Sequence, residues 1–354
     1  MSRAKTDKAP TLATVAAQVG VSRMTVSNAF NRPDQLSPAL RVRVLDAARQ
    51  LGYQGPNPVA RTLARGRTGS LGVVFDYSLT DALTDPAASG VLLGVARECE
   101  ERALGLTLVP LFAGADDTHV RTALVDGFVL YSVTRNDARL RAVQERGLPY
   151  VLVDHEPTDG APRVNIDDRG GARAMVDHVT GLGHRRIGFL FGWENPSATL
   201  AEAQANPIYF VGAERMAGWR DGLEAAGLDA AAPIGTGPAH GRETGRIAAG
   251  RLLDGPEPPT AVLAFSDLLA LGAIEAAAER GLDVPRQLSV IGFDDVAAAA
   301  AAAPPLTTVR QAHDEKGAAA VRLLLDPRDD DQLVLPAELV VRSSTAPPPQ
   351  EGPR

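Results

Sequence analysis

The sequence predicts an all-α helix-turn-helix head followed by an α/β body of two doubly wound parallel-sheet lobes. Three observations predict it. Short helical periods fill residues 11–51, β-rich runs alternate with helical stretches from Ser70 onward, and the charge changes sign between the two regions. Residues 1–69 hold 11 Lys/Arg against 3 Asp/Glu, a net of +8, whereas the rest holds 25 against 40, a net of −15. A basic head on an acidic body suits one end held to phosphate and a body that avoids it.

The head begins with TLATVAAQVG, where Leu12, Val15, Ala16 and Val19 fall on one apolar helical face. Gly20 ends this helix, because glycine enters the left-handed conformation without a Cβ penalty. Ser22 is placed to cap a second helix, Arg23 to about Phe30, that buries Val26, Ala29 and Phe30. In such a pair the second helix enters the DNA major groove. Arg23, Met24, Ser27 and Asn28 then share its outer face. Arginine can fork onto guanine, asparagine onto adenine, and methionine can lie against a thymine methyl. Thr25, Ser27 and Asn31 suit phosphates, and Thr11 and Ser22, at the two helix starts, complete the DNA-facing set. A third helix opens with Ser37 and Pro38, closes at Gly52 and packs Leu40, Val44, Ala48 and Leu51 across the first two.

After Gly52, Asn57 can cap, Pro58 fits N1, and Val59 to Arg65 can make two helical turns before Gly66. So short a helix is marginal alone and is expected to order when paired with a partner chain on DNA. Leu63 is then an apolar wedge for a minor-groove step, with Ala60 beside it and Arg61 and Arg65 near phosphates. A flexible basic linker is the competing reading of the same residues.

In the body, residues 71–75, 106–112, 126–131 and 149–154 read as buried parallel strands, with helical patterns near 87–103, 116–124 and 137–146 between them. A second series follows: helix 168–180, strand 186–191, helices 214–226 and 241–253, strand 260–265, helix 267–280 and strand 288–293. That total is too long for one sheet, so two lobes with a cleft are expected. Ligands in such sheets bind beyond the carboxyl ends of the strands, here at Phe75 and Asp76, Asp154, Ser266 and Asp267, Asp294 and Asp295. Carboxylates there can accept several hydrogen bonds from a hydroxyl-rich ligand. They can equally cap the next helix, as Asp267 is expected to.

The motifs TLATVAAQVGVSRMTVSNAFN, SPALRVRVLDAARQLGY and PNPVARTLARGRTGSLGVVF, in this order, resemble the lactose-repressor (LacI/GalR) family of bacterial transcriptional regulators. The resemblance extends to about Ser344. It implies a periplasmic-binding-protein-like body and a homodimer whose paired hinge helices, with Asn57, Ala60, Arg61 and Leu63, open the minor groove of a pseudo-palindromic operator. It also implies a small-molecule effector in the cleft, a sugar ahead of a nucleoside or purine. ERMAGWRDGL places the family's effector arginine at Arg215, AFSDLLALGAI a polar pocket residue at Ser266, VIGFDD an aspartate at Asp294, and PPLTTVRQ Gln311; Asp154 corresponds to another pocket carboxylate. His184 to Arg186 read as structural, joining helix to strand.

Several departures are visible. Asn28 stands where many members have arginine, Trp193–Glu214 is longer than the usual link, and DYSLTDALTDPAA replaces an asparagine-proline-aromatic run. The pocket aromatic of sugar-responsive members has no match near Pro238 to His240, which leaves Tyr209 or Trp193 as candidates to replace it.

The sequence thus divides into an N-terminal tail (1–10), a helix-turn-helix domain (11–56), a hinge helix and linker (57–69), an effector-binding and dimerisation domain (70–344) and a Pro-rich tail (345–354), both tails expected to be disordered. The alanine run 297–303 is expected to make a plain turn or two of helix. No signal peptide, bilayer-spanning run or His/Cys metal spacing is apparent, and the single Cys99 excludes an internal disulfide. A cytoplasmic regulator without cofactor, metal or catalytic set is expected. A solute-binding transport protein, or an α/β enzyme acting on a sugar or nucleotide, would share the body but leave the basic head unexplained.

Overall fold

The computed structural model describes residues 10–55, 66–110, 117–158, 160–192, 199–205, 209–237, 240–327 and 332–350. The expected hinge residues Asn57, Ala60, Arg61, Leu63 and Arg65 lie outside the described residues, as does Trp193. The chain forms two compact units, Met1–Thr68 and Gly69–Arg354.

The first unit holds α1 (Leu12–Val19), α2 (Arg23–Asn31) and α3 (Pro38–Gln50), with a 3-10 turn at Pro33–Gln35. Thr11 and Thr14 close a reciprocal capping box on α1, and Gly20 follows at φ 74°. Ser22 accepts the Thr25 amide at 3.0 Å, and Ser37 caps α3 with Pro38 at its first turn. Val15, Val26, Ala29, Val44 and Ala48 form the core. Phe30 stands edge-on to Tyr53 at its margin, with ring centroids 5.8 Å apart. Each fully buried valine contributes roughly 1.5–3 kcal/mol.

The second unit contains two six-stranded sheets among its described residues. The first runs β11-β5-β4-β3-β1-β2, with β1 (Ser70–Phe75), β2 (Gly105–Val109), β3 (Gly127–Tyr131), β4 (Tyr150–Val153), β5 (Arg163–Ile166) and β11 (Gln332–Leu335). The second runs β12-β10-β9-β8-β6-β7, with β6 (Ile187–Leu190), β7 (Ile234–Gly235), β8 (Ala261–Ala264), β9 (Ser289–Asp294), β10 (Thr307–Gln311) and β12 (Ala337–Val340). Every pairing is parallel except β10 with β12. Central strands such as β3 and β8 are buried on both faces, which explains their unbroken apolar runs.

The first lobe's helices are α4 (Leu79–Thr84), α5 (Pro86–Glu101), α6 (Thr118–Thr122), α7 (Ala138–Arg146) and α14 (His313–Leu325). The second lobe has α8 (Asp168–Gly181), α9 (Leu200–Ala205), α10 (Phe210–Ala225), α11 (Arg242–Leu253), α12 (Asp267–Glu279) and α13 (Ala297–Ala301). Helix pairs approach closely through glycine. A Cβ at Gly94 of α5 would overlap the Asp314 carbonyl of α14, and one at Gly317 would overlap the Val91 carbonyl. Gly245 and Gly272 make the same approach between α11 and α12. The chain passes between the sheets after β5, after β10 and after β11.

Four features depart from expectation. Helix α10 starts at Phe210 rather than near Glu214, and α4, α9, α14, β5, β7, β10, β11 and β12 form, across both lobes, where no element was expected. Asp267 does not cap α12: Ser266 does, accepting the Leu269 amide at 3.3 Å. The Asp267 carboxylate instead accepts the Thr308 hydroxyl at 2.5 Å and the Val296 amide at 2.9 Å. The start of the tail is held, because Ala346 receives hydrogen bonds from Ser289 and His184 and Thr345 meets the His178 ring at 3.0 Å. Among the described residues no helix is long and apolar enough to cross a membrane.

Candidate functional site

On α2 the inward and outward faces separate as the 3.6 period requires. Val26 and Ala29 are buried, while Arg23 is exposed and Met24 is 70% exposed. Asn28 donates to the Gln35 side chain at 3.1 Å, and Asn31 to the Ser27 hydroxyl at 3.2 Å. Thr11 and Ser22 are engaged in their caps, and Thr25 meets Ser22 at 2.9 Å. Arg23, Met24, Ser27 and Asn28 thus lie on one face, and Thr11, Ser22, Thr25 and Asn31 at its margins and helix starts.

Between the two lobes lies a cleft of about 380 Å3. Its walls include Tyr77, Asp81, Asp85, Tyr131 and Asp154 from the first lobe and Tyr209, Arg215, Phe265, Ser266, Asp294 and Gln311 from the second. Its floor is a chain of buried polar groups beside the lobe crossings. Lys316 Nζ donates to both Asp154 oxygens at 2.9 and 2.8 Å and to Gln311 Oε1 at 2.8 Å. Gln311 Nε2 donates to Asp294 Oδ1 at 2.6 Å, and Arg215 Nη1 stands 3.7 Å from the same oxygen. Arg215 also pairs with Asp168 at 2.8 Å, donates to the Phe265 carbonyl at 2.5 Å and lies 3.6 Å from the Phe293 ring centre.

This arrangement explains the electrostatics. Burial raises the Asp294 carboxyl well above the usual range despite Arg215 nearby, and raises Asp168 to about 6. One Asp168 oxygen is buried without a hydrogen-bond partner among the described residues. Asp154 and Asp294 are both held at positive φ, 56° and 121°, a conformation that non-glycine residues keep only where their surroundings enforce it. His313 donates Nε2–H to the Asp294 carbonyl at 3.2 Å, and burial depresses its ring to about 3.

Of the seven residues singled out by sequence, Asp154, Arg215, Ser266, Asp294 and Gln311 line the cleft, and Phe75 and Asp76 do not. Phe75 is 1% exposed and packs behind the wall, with Tyr131 at 5.7 Å and Tyr77 at 6.2 Å between ring centroids. Asp76 turns to Arg139, at 2.7 Å, and accepts a hydrogen bond from the Tyr209 hydroxyl. Its burial raises it to about 6. Asp76 therefore positions Tyr209, whose ring forms wall.

Sequence reasoning missed Tyr77, Asp85, Tyr131, His240, Phe265 and Lys316. Two signals were available. Tyr131 ends an apolar strand as Phe75 does, and Lys316 heads the apolar stripe Ala319, Ala320, Leu323 and Leu324 of α14, where a lysine requires a buried partner. Elsewhere, His184 bonds Thr260 at 2.9 Å and Ser289 at 3.1 Å, joining helix to strands as expected.

A helix-turn-helix head with an exposed reading face, on a chain whose two-lobed body encloses a polar cleft, defines a ligand-responsive DNA-binding regulator. Residues 11–57 match the family described as "Bacterial regulatory proteins, lacI family", and residues 176–345 a "Periplasmic binding protein-like domain". The chain is 43% identical over 297 residues to the HTH-type transcriptional regulator Rv3575c of Mycobacterium tuberculosis, covering 81% of this chain and 82% of that one. Among solved structures it is similar to the Lac repressor dimer bound to operator and the anti-inducer ONPF, at TM-score 0.76 and 27% identity over 96% of this chain and 100% of the other. It is also similar to a transcriptional regulator CelR–cellobiose complex, at TM-score 0.67 and 31% identity over 95% and 99%. The chain belongs to the LacI family of bacterial regulatory proteins. It is a DNA-binding transcriptional regulator of the ligand-responsive repressor type.

Proposed function

We propose that the chain acts in the cytoplasm as a homodimer on a pseudo-palindromic operator, and that a sugar in the cleft sets its operator affinity. Arg23, Met24, Ser27 and Asn28 contact base edges. Thr11, Ser22, Thr25 and Asn31 hold phosphates, and Asn57, Ala60, Arg61 and Leu63 engage the minor groove. In the cleft, Arg215 donates to ligand hydroxyls, Asp154, Asp294 and Gln311 accept from them, and Ser266 does either. Tyr77, Tyr131, Tyr209 and Phe265 cover the apolar faces of the rings.

The observation that carries this reading is the chain of buried polar groups from Asp154 through Lys316, Gln311 and Asp294 to Arg215. It presents both donors and acceptors in a half-dry cleft with aromatic walls, which is what a polyol needs. The cellobiose in the CelR neighbour supports a sugar. A ligand bridging both walls favours one arrangement of the lobes, and by linkage ligand and operator must change each other's affinity equally.

The test is a mobility shift. Palindromic duplexes selected from a random pool by the purified chain are titrated with and without cellobiose, ribose and other neutral sugars. A preference for a palindrome that one sugar shifts supports the reading; affinity equal to that for random DNA at moderate salt refutes it. Leu63→Ala should weaken operator binding and leave sugar binding intact.

A further inference from the structure

Resting on the sugar reading above, we propose that the cleft discriminates by charge: it takes uncharged or aminated sugars and rejects phosphorylated and acidic ones, with Asp85 and Asp81 as specificity-determining residues.

Four carboxylates line the cleft, Asp81, Asp85, Asp154 and Asp294, against one cation, Arg215. The cations nearby are already committed. Lys316 holds Asp154 at 2.8 Å, Arg215 holds Asp168 at 2.8 Å, and Arg139 is held by Asp76 and Asp137 at 2.7 and 2.5 Å. Among the described residues, no cation lies within ion-pair distance of Asp81 or Asp85. Their partners are neutral donors: the Ser78 hydroxyl to Asp81 at 2.6 Å, and the Tyr77 hydroxyl and Ala87 amide to Asp85 at 3.3 and 3.0 Å.

The field of Asp85 also reaches the opposite wall. There it adds to burial in pushing up the Asp294 carboxyl. Burial depresses the ring of His240, the remaining basic group of the lining, against the upward pull of Asp85. A phosphate or carboxylate entering here meets more like charge than opposite charge, and the one guanidinium of the lining, Arg215, already shares Nε with Asp168 and Nη1 with the Phe265 carbonyl. Hydroxyl and ammonium donors meet open acceptors. A like charge about 6 Å away, at an effective dielectric near 20, weakens binding about a hundredfold. Both aspartates come from DYSLTDALTDPAA, the stretch in which this chain departs from the usual run, so this selectivity belongs to this chain rather than to the fold.

Calorimetric titration of the full chain tests this. Each neutral sugar found to bind is compared with its uronic acid, its phosphate ester and its 2-amino analogue. The expected result is an affinity for the acid and the phosphate about a hundredfold below the parent's, with the amine equal to or tighter than the parent. In Asp85→Asn, which keeps the helix cap because asparagine caps well, the neutral-to-anionic ratio should fall about tenfold, and further in D81N/D85N. An anionic sugar bound as tightly as its parent, or a ratio unmoved in D81N/D85N of unchanged Tm, overturns the charge selectivity while leaving the sugar reading standing. Binding by no sugar overturns the reading itself and this inference with it.

Discussion

The reading face of the head and the cleft of the body are built on opposite terms. On α2 the side chains proposed to read DNA project outward, and the core beneath them (Val15, Val26, Val44) does not involve them. In the cleft Arg215 is 4% and Asp294 6% exposed, and both are bonded into the same polar chain that lies beside the lobe crossings. The residues proposed to read DNA are therefore separable from folding, whereas those proposed to hold the ligand are part of what holds the lobes. A contact surface for a large rigid partner can be superficial; a site that must enclose a small polar ligand has to bury charge, and buried charge needs partners.

The largest effect should come from breaking the body's network. Arg215→Met leaves Asp168 and Asp294 without their guanidinium and should lower unfolding free energy by about 3–5 kcal/mol, read by urea denaturation, and should abolish the sugar response. Next, Arg23→Ala should cost up to about 3 kcal/mol of operator affinity while moving stability by less than about 0.5 kcal/mol. Equal stability losses in the two variants would erase the distinction between head and body.

A pH measurement sharpens it. His313 is depressed to about 3 in the folded protein against 6.5 as its ordinary value. Its contribution is whole above pH 6.5 and is lost as pH falls toward 3, because only the unfolded chain takes up the proton. At pH 5 the loss is about 2 kcal/mol. His313→Gln keeps a donor for the Asp294 carbonyl without titrating, so the fall in stability from pH 7 to pH 5 should shrink by that amount; an unchanged slope contradicts the assignment. The smallest effect is Met24→Ala. It should leave Tm within error and alter only the preferred bases.

The same contrast governs what the sequence reveals. The head was legible almost residue by residue, because local period, caps and Gly20 decide it within 40 residues. Strand ends gave Asp154, Ser266 and Asp294, since an apolar run broken by a polar group is visible locally. Phe75 and Asp76 satisfied the same rule and yet face Tyr131 and Arg139, because alternation along the strand and a competing cation decide where they turn. Lys316 was missed for a different reason: its place on the apolar stripe of α14 calls for a buried partner but does not say which. Its partners, Asp154 and Gln311, are brought to it by the return of the chain into the first lobe at α14, and no local period announces that return.

The central claim is that cleft and reading face belong to one equilibrium. The most direct measurement is sugar affinity of the full chain saturated with its selected palindrome, compared with the chain saturated with a scrambled duplex of equal length. The account predicts a difference of roughly fivefold or more. Identical sugar affinities on both duplexes would contradict it.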